Sequence, residues 1–355
     1  MRRGQTETEF SVDERCDIPS TPGVYLFRDR QGAILYIGKS VCLKRRVASY
    51  FGRRSRRART DGASAKHEDG RIRRMIHSAR TITIHETGSE LSALLLEDRL
   101  IKGHRPPYNK RQKDHLENCY LQLGGGDFPL FEKVHSADTI GADTIGADMI
   151  GADTIGADAI DSAALFGPFR DGYLVDDLVD VIHSAFGLRS CTDTPPAARC
   201  ARYEIGLCLG PCRGAVSPDD YALRVGMARR FVDGDGAEVV ARLEEIMERR
   251  VKRLEFEQAA LIRDRIAFCR NFCRRRRFVK RFTTGVVVVR DEGGGGLTHI
   301  FVRGAHHRRE GRLDSTAIDA IVAEGDNGED RRCITDRAHI VYGWLKRVDP
   351  QGIEE

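Results

Sequence analysis

Two short boxes, Gly23-Val24-Tyr25 and Tyr36-Ile37-Gly38, constrain the fold of this chain more than any other feature of its sequence. They sit in Val24-Tyr25-Leu26-Phe27 and Ile34-Leu35-Tyr36-Ile37, runs rich in β-branched and aromatic residues. The polar stretch Asp29-Arg30-Gln31-Gly32 between them is a turn sequence, so the two runs read as a β-hairpin. Tyr25 and Tyr36 then fall on neighbouring strands, where their hydroxyls can point to one face. Leu43, Val47 and Tyr50 recur at helical spacing within residues 40–51. Residues 52–70 are rich in Arg, Ser and Gly and read as a mobile loop, and residues 81–84 as a third strand. Thr87-Gly88-Ser89-Glu90 has the form of a capping box opening a helix that runs to about Lys102, and Pro106-Pro107 blocks any continuation.

The residues that follow the boxes suit one kind of chemistry. Cutting a phosphodiester requires a nucleophilic water, a base, positive charge on the scissile phosphate and a cation near the leaving oxygen. Lys39 lies at the strand-to-helix junction, beside helix N-terminal amides that favour phosphate. Arg46 and Tyr50 are one helical turn apart and share a face. Glu97 is a lone carboxylate within Ala93-Leu94-Leu95-Leu96-Glu97, where burial is costly unless the group is paired or holds a metal. Taken singly, a strand tyrosine is ordinary packing and a glutamate on a leucine-rich helix is an ordinary rim residue. Their joint spacing, with Asn109 beyond, points to one centre.

The formal charge of the 355 residues is only +5, but the arginines cluster. Arg53, Arg54, Arg56, Arg57 and Arg59 form one run, Arg71, Arg73 and Arg74 a second, and residues 274–277 a third. Such clusters read as phosphate-contact patches ahead of neutral solvated surface. With Lys44 and Arg45, the residues Arg53, Arg54, Arg73 and Arg74 are the candidate DNA contacts. No apolar run is long enough to span a membrane, and the N-terminus lacks the apolar core of a signal peptide. Ten cysteines without an export signal argue for reduced thiols or metal ligation in a cytoplasmic protein.

Residues 137–161 hold five copies of the pentapeptide Ala-Asp-(Thr/Met/Ala)-Ile-(Gly/Asp), which reads as a flexible acidic insert rather than a β-helix coil. A helix-like stretch spans residues 173–186, and Ser217-Pro218-Asp219-Asp220 is a helix start with a cap, a first-turn proline and two acids. Between them Cys191, Cys200, Cys208 and Cys212 crowd together, a grouping that favours metal ligation over four independent core thiols. Their spacing is not that of a zinc ribbon. Cys16, Cys42, Cys119, Cys269, Cys273 and Cys333 show no such grouping, and Cys269 and Cys273 share a helix face as packing residues. A helix from about Ala237 leads into residues 254–266 as a helical hairpin, with apolar and charged residues interleaved as in a helix that docks on a partner. Residues 286–289 and 299–302 suggest a further β-hairpin, and the last 40 residues carry little signal beyond Trp344.

Tyr25, Tyr36, Gly38, Lys39, Arg46, Tyr50, Glu97 and Asn109 resemble the GIY-YIG nuclease signature, with Val24 in place of isoleucine. Thr21-Pro22-Gly23-Val24-Tyr25-Leu26-Phe27, Leu94-Leu95-Leu96-Glu97 and Tyr108-Asn109-Lys110-Arg111 are closer still to the UvrC/Cho excinuclease family. The resemblance implies an α+β architecture. A nuclease domain over 18–123, an antiparallel sheet flanked by helices, would be followed by the insert at 137–161 and a cysteine-rich helical region over 165–235. A helical hairpin of the UVR type over 237–278 and a short β-containing segment over 280–355 would complete it. It further implies a Mg²⁺- or Mn²⁺-dependent endonuclease of excision repair that makes one incision, on the 3′ side of a lesion. Glu97 would bind the metal, Tyr36 would be the general base with Tyr25 and Lys39 assisting through water, Arg46 would stabilise the pentavalent phosphate, and Asn109 would hold the site together. By the same resemblance the four cysteines would hold a [4Fe–4S] cluster, with zinc as the alternative. Residues 254–266 would bind UvrB, with Phe256 as the anchor and Leu254, Glu257, Ala260, Arg263 and Asp264 around it. The partners implied are damaged duplex DNA and UvrB, with UvrA upstream, and neither a membrane nor a small-molecule substrate. After residue 310 the sequence leaves too little room for the RNase H-like and helix-hairpin-helix domains of UvrC.

Overall fold

The computed structural model of the chain describes residues 7–51, 63–109, 119–135, 164–169, 172–191, 200–291, 296–311, 313–323 and 331–349. In chain order, the first elements are β1 (Glu7–Ser11), β2 (Gly23–Arg28), β3 (Ile34–Ser40), α1 (Leu43–Phe51), α2 (Ala63–Ser78), β4 (Thr81–Glu86) and α3 (Glu90–His104). Next come β5 (Cys119–Leu123), β6 (Phe131–His135), β7 (Ala164–Phe169), α4 (Gly172–Phe186), α5 (Pro218–Val232), α6 (Ala237–Lys252) and α7 (Phe256–Thr284). The last are β8 (Val286–Asp291), β9 (Leu297–Val302), β10 (Ala305–Glu310), α8 (Ser315–Ala323) and α9 (Arg331–Val348). Residues 1–114 and 278–355 form one compact unit and residues 115–277 a second, the boundary falling within α7. The pentapeptide insert lies outside the described residues, as do Arg53 and Arg54.

In the first unit an antiparallel sheet runs in the order β1-β4-β2-β3. Strand β2 is buried on both faces, and its period of two divides the core. Val24 and Leu26 pack with Ala93, Leu96 and Ile101 of α3, whereas Tyr25 and Phe27 pack with Leu43 and Val47 of α1 and Met75 of α2. Burial of each such side chain contributes roughly 1.5–3 kcal/mol. The hairpin turn closes as its residues predict, with the Asp29 carboxylate accepting from the Gln31 and Ala33 amides at 2.9 Å each. Strand β1 carried no recognisable signal in the sequence, and residues 63–70, expected in a loop, belong to α2.

The start of α3 also differs from expectation. Its cap is Ser89, whose hydroxyl accepts from the Ser92 amide at 3.1 Å, while Thr87 Oγ1 donates to the Ser89 carbonyl. Glu90 does not reach back to close a capping box. Its carboxylate meets two cations instead, described with the site below.

The C-terminal part of this unit is well structured. Strands β10-β9-β8 form a second antiparallel sheet, and β9 is buried along its whole length. Phe301 packs with Phe278, Phe282 and the α9 residues Val341, Trp344 and Leu345. Leu91 of α3 belongs to the same cluster, with Leu94 and Leu95 packed against it. Helix α9 was missed because its apolar positions, Ile334, Ala338, Val341 and Leu345, are diluted by charged neighbours.

In the second unit strands β6-β5-β7 make a small antiparallel sheet. Its core joins Leu121 and Phe131 of the sheet to Val181 of α4, Phe231 of α5, Leu243 of α6 and Ile266 of α7. Ser217 caps α5 by accepting from the Asp220 amide at 3.1 Å, with Pro218 in the first turn. Cys269 and Cys273 are buried in this core as packing residues. Among the described residues no helix is long and apolar enough to cross a membrane.

Candidate active site

Close approach of backbone and phenol explains both glycine boxes. A Cβ on Gly38 would collide with the Tyr25 hydroxyl and stand 2.9 Å from the Tyr36 ring. A Cβ on Gly23 would run into the His85 carbonyl of β4 and lie 2.8 Å from Leu43. Glycine at these two positions lets the strands and the tyrosine pair sit as they do.

Around them the predicted residues converge. The Tyr25 and Tyr36 ring centroids are 6.1 Å apart, and Tyr50 of α1 lies within 6.3 Å of both. The Tyr25 and Tyr50 hydroxyls are 2.8 Å apart, Arg46 Nε donates to the Tyr25 hydroxyl at 3.2 Å, and the Arg46 guanidinium lies 5.2 Å from the Tyr50 ring centroid. Glu97 comes from α3 on the opposite side of the sheet edge, and its Oε1 accepts the backbone N–H of Lys39 at 3.0 Å. Among the described residues that amide is its only hydrogen-bond donor. Asn109 clamps β3: its Oδ1 accepts from the Ile37 amide at 2.9 Å and its Nδ2 donates to the Ile37 carbonyl at 2.7 Å. The side chain thereby replaces a neighbouring strand at this edge of the sheet, directly beside the second box.

Electrostatics follow from burial. Desolvation pushes the Glu97 carboxyl up to about 7, opposed by the Lys39 amide and charge. Burial, and after it the Tyr50 neighbour, raises both Tyr25 and Tyr36 well above the ordinary tyrosine value, with Arg46 pulling the other way. The Glu97 charge also bears on Tyr36, which places the two within electrostatic reach. A lone buried carboxylate of this kind fits a hard divalent cation, because Mg²⁺ takes one or two carboxylates and keeps several waters.

Lys39 holds a partner that the sequence reading missed. Its ammonium pairs with Glu90 Oε1 at 2.7 Å, and Arg347 of α9 reaches the same oxygen at 3.3 Å. Glu90 and Glu97 are two turns apart on one face of α3, and that periodicity was the available signal.

Of the candidate DNA contacts, Lys44 and Arg45 are exposed on α1 and Arg73 and Arg74 on α2. The latter two line an open hollow with His77, Ser78 and Tyr108. In the docking segment, Leu254 sits in a left-handed turn (φ 60°) between α6 and α7 and is 73% exposed. Phe256 and Leu261 are 62% and 60% exposed, large apolar side chains left on the surface while Ile262 and Ile266 turn into the core. Glu257 is exposed, Ala260 is half-buried, and Arg263 pairs with Asp264 at 2.8 Å.

The cysteines differ. Cys191, Cys200, Cys208 and Cys212 are all free and half-buried. The charges of the other three bear on Cys208, whose thiol is raised first by burial and lowered by the Gly210 amide, 3.4 Å from its sulfur. They are neighbours, yet among the described residues no group of three or more His, Cys, Asp or Glu is placed to hold a metal ion. The expected ligand geometry is therefore not formed.

Comparison with known proteins agrees with the order of these features along the chain. A UvrC-like GIY-YIG domain matches residues 21–110, a UvrC/Cho excinuclease middle domain residues 150–231, and a UvrB/uvrC motif residues 237–271. UvrABC system protein C of Methanothermobacter thermautotrophicus is 34% identical over 282 residues, 78% of this chain and 42% of its own. Its counterpart in Haloarcula marismortui is 35% identical over 262 residues, 72% and 39% of the two chains. The chain thus spans about two fifths of the length of the curated relatives it matches. A solved GIY-YIG N-terminal endonuclease domain of UvrC from Thermotoga maritima, bound to its catalytic divalent cation magnesium, is 29% identical. The match covers 27% of this chain and 92% of that one, at a TM-score of 0.22, too low to bear on the fold. With three family segments matched in succession, this chain belongs to the UvrC/Cho excinuclease family and carries its GIY-YIG nuclease domain.

Proposed function

We propose that this chain is a divalent-metal-dependent DNA endonuclease of nucleotide excision repair, making a single incision on the 3′ side of a lesion in duplex presented by UvrB. The observation that carries this reading is the convergence of a buried carboxylate, Glu97, with Tyr36, Tyr25, Tyr50, Arg46 and Lys39 at one edge of one sheet. Glu97 is the residue to hold Mg²⁺ or Mn²⁺, which when bound supplies Lewis-acid charge at the scissile phosphate and lowers the pKa of nearby water. Arg46, anchored on the Tyr25 hydroxyl, offers its remaining N–H groups to the phosphate oxygens. Tyr36, within electrostatic reach of Glu97, is the acceptor of the water proton, and with its phenol raised by burial it needs positive charge beyond that of Arg46 to act as a base. Tyr25 and Tyr50 hold Arg46, and Asn109 holds β3 in register. Lys44, Arg45, Arg73 and Arg74 would take the duplex backbone, and the exposed pair Phe256 and Leu261 would anchor UvrB, with UvrA acting upstream.

The four cysteines are proposed to close around Cys208 on a [4Fe–4S] cluster, with zinc as the alternative. Their proximity supports this, and iron, sulfide and zinc analysis of anaerobically purified protein decides it: a colourless chain with stoichiometric zinc rejects the iron–sulfur reading.

The deciding experiment is incision of a labelled duplex bearing one bulky adduct, with Mg²⁺, with and without UvrA and UvrB. One loader-dependent nick 3′ to the adduct is expected, lost on the order of 10³-fold in Glu97→Ala and abolished in Phe256→Ala. Nicking without loaders assigns a structure-specific nuclease instead, and no nicking in any condition assigns a DNA- and UvrB-binding adaptor.

A further inference from the structure

We infer that Glu90 and Arg347 are positioning residues for the nuclease centre, and that the C-terminal helix α9 is the brace that sets Lys39. The inference rests on the nuclease reading above and adds to it the helix over residues 331–348.

Lys39 is gripped twice from α3. Its backbone N–H is held by Glu97 at 3.0 Å and its ammonium by Glu90 at 2.7 Å. Because the two glutamates lie two turns apart on one helix face, any slide or roll of α3 against β3 moves both contacts together. A lysine with four rotatable bonds needs such an anchor to present its charge at one place.

What fixes α3 on its other side is α9. The two helices run antiparallel, as the pairs at their ends require. Glu90 at the start of α3 meets Arg347 near the end of α9 at 3.3 Å, and Lys102 near the end of α3 meets Asp336 near the start of α9 at 2.6 Å. Between these pairs Leu91, Leu94 and Leu95 pack into the cluster that holds Val341, Trp344 and Leu345. Asp291 adds a bond to the α3 N-terminus, its carboxylate accepting from the Leu91 amide at 3.4 Å. Helix α3 is thus held between the nuclease sheet and the C-terminal cluster, and one Glu90 oxygen is shared by the α9 arginine and the Lys39 ammonium. Arg347 biases which way that oxygen faces, and Lys39 follows.

The test is single-turnover nicking by the full chain on the adducted duplex used above, with DNA affinity and thermal midpoint measured alongside. Glu90→Gln is expected to slow nicking by on the order of 30-fold, since displacement of a catalytic group by an ångström costs up to about 100-fold. Arg347→Ala is expected to slow it by about 5-fold and Arg347→Lys to restore most of the rate, with DNA affinity and midpoint unchanged in all three. In a Lys39→Ala background the Arg347→Ala effect should vanish, an outcome a merely structural role would not give. Equal slowing with and without Lys39, or full activity of both variants beside an inactive Glu97→Ala, overturns the brace and leaves the nuclease reading intact. A Glu97→Ala chain that nicks like wild type, or a wild-type chain that does not nick, overturns that reading and the brace with it.

Discussion

The nuclease centre is gathered from side chains spread between Tyr25 and Asn109 and the cysteine segment from four thiols between Cys191 and Cys212, and hydrogen bonds among its own groups hold the first. At Glu97 and Tyr25 every functional group has an architectural partner: a backbone amide for the carboxylate, a second phenol and a guanidinium for the first, a two-point clamp at Asn109. Around Cys208 four thiols are neighbours and, among the described residues, one backbone amide reaches its sulfur. A site made of hydrogen-bond donors and acceptors can be completed by the chain, because each group lowers the free energy of the next. On the proposed reading of the four cysteines as metal ligands, the thiols give up their protons and close only on a cation, so that metal binding and local ordering are one event. The nuclease centre is thus held by hydrogen bonds among its own groups, whereas among the described residues the sulfur of Cys208 has the Gly210 amide.

The strongest way to break this contrast is to spoil the pre-formed site sterically. Gly38→Ala places a methyl group against the Tyr25 phenol, and that ring is fully buried and pinned by Tyr50 and Arg46. The expected cost is about 3 kcal/mol of stability, at the upper end for overpacking, read as a lower denaturation midpoint. Nicking should fall by on the order of 100-fold in the protein that remains folded. A variant with wild-type stability and rate would mean that the tyrosine pair is loosely held.

Charge gives the next effect. Burial raises Glu97 from 4.5 to about 7, so the folded chain keeps a proton that the unfolded chain has lost. Stability from this group is fully present below pH 4.5 and is lost as pH rises through 7. Without divalent cation the loss is about 2 kcal/mol after allowance for partial exposure. Glu97→Gln should therefore match wild type at pH 4.5 and exceed it by that amount at pH 8, and added Mg²⁺ should close the gap by stabilising wild type alone. Identical pH profiles for the two proteins would show that Glu97 is not desolvated.

How much of this could be read from residues alone follows the same division. The hairpin and the placement of Tyr25, Tyr36, Arg46 and Glu97 were legible from short, local patterns on regular elements, whereas Asn109, in the coil beyond α3, was singled out by the family resemblance. Strand β1 was not, since Glu7–Ser11 has only Phe10 as an apolar marker and gains its place by pairing with β4. The cap of α3 was misassigned because Thr87 and Ser89 both fit a cap, and only the pairing of Glu90 with Lys39 and Arg347 decides between them. Arg347 itself had no signal: an exposed arginine on a charged helix acquires meaning only through a partner that is distant in the chain.

The smallest effect sharpens the other half of the contrast. Cys208 is half-buried, and the amide at its sulfur belongs to Gly210, two residues away. In chelator-treated protein Cys208→Ser should cost less than about 1 kcal/mol, the range for a residue outside a packed core. In protein purified anaerobically with its metal the same change should cost several-fold more, because a ligand is then lost and the free energy of metal binding is lost with it. A cost near 3 kcal/mol that is the same with and without chelator would make Cys208 a core residue. The two sites would then be alike in being held by packing, and the contrast between a centre that the chain completes and a segment that waits for a cation would fail.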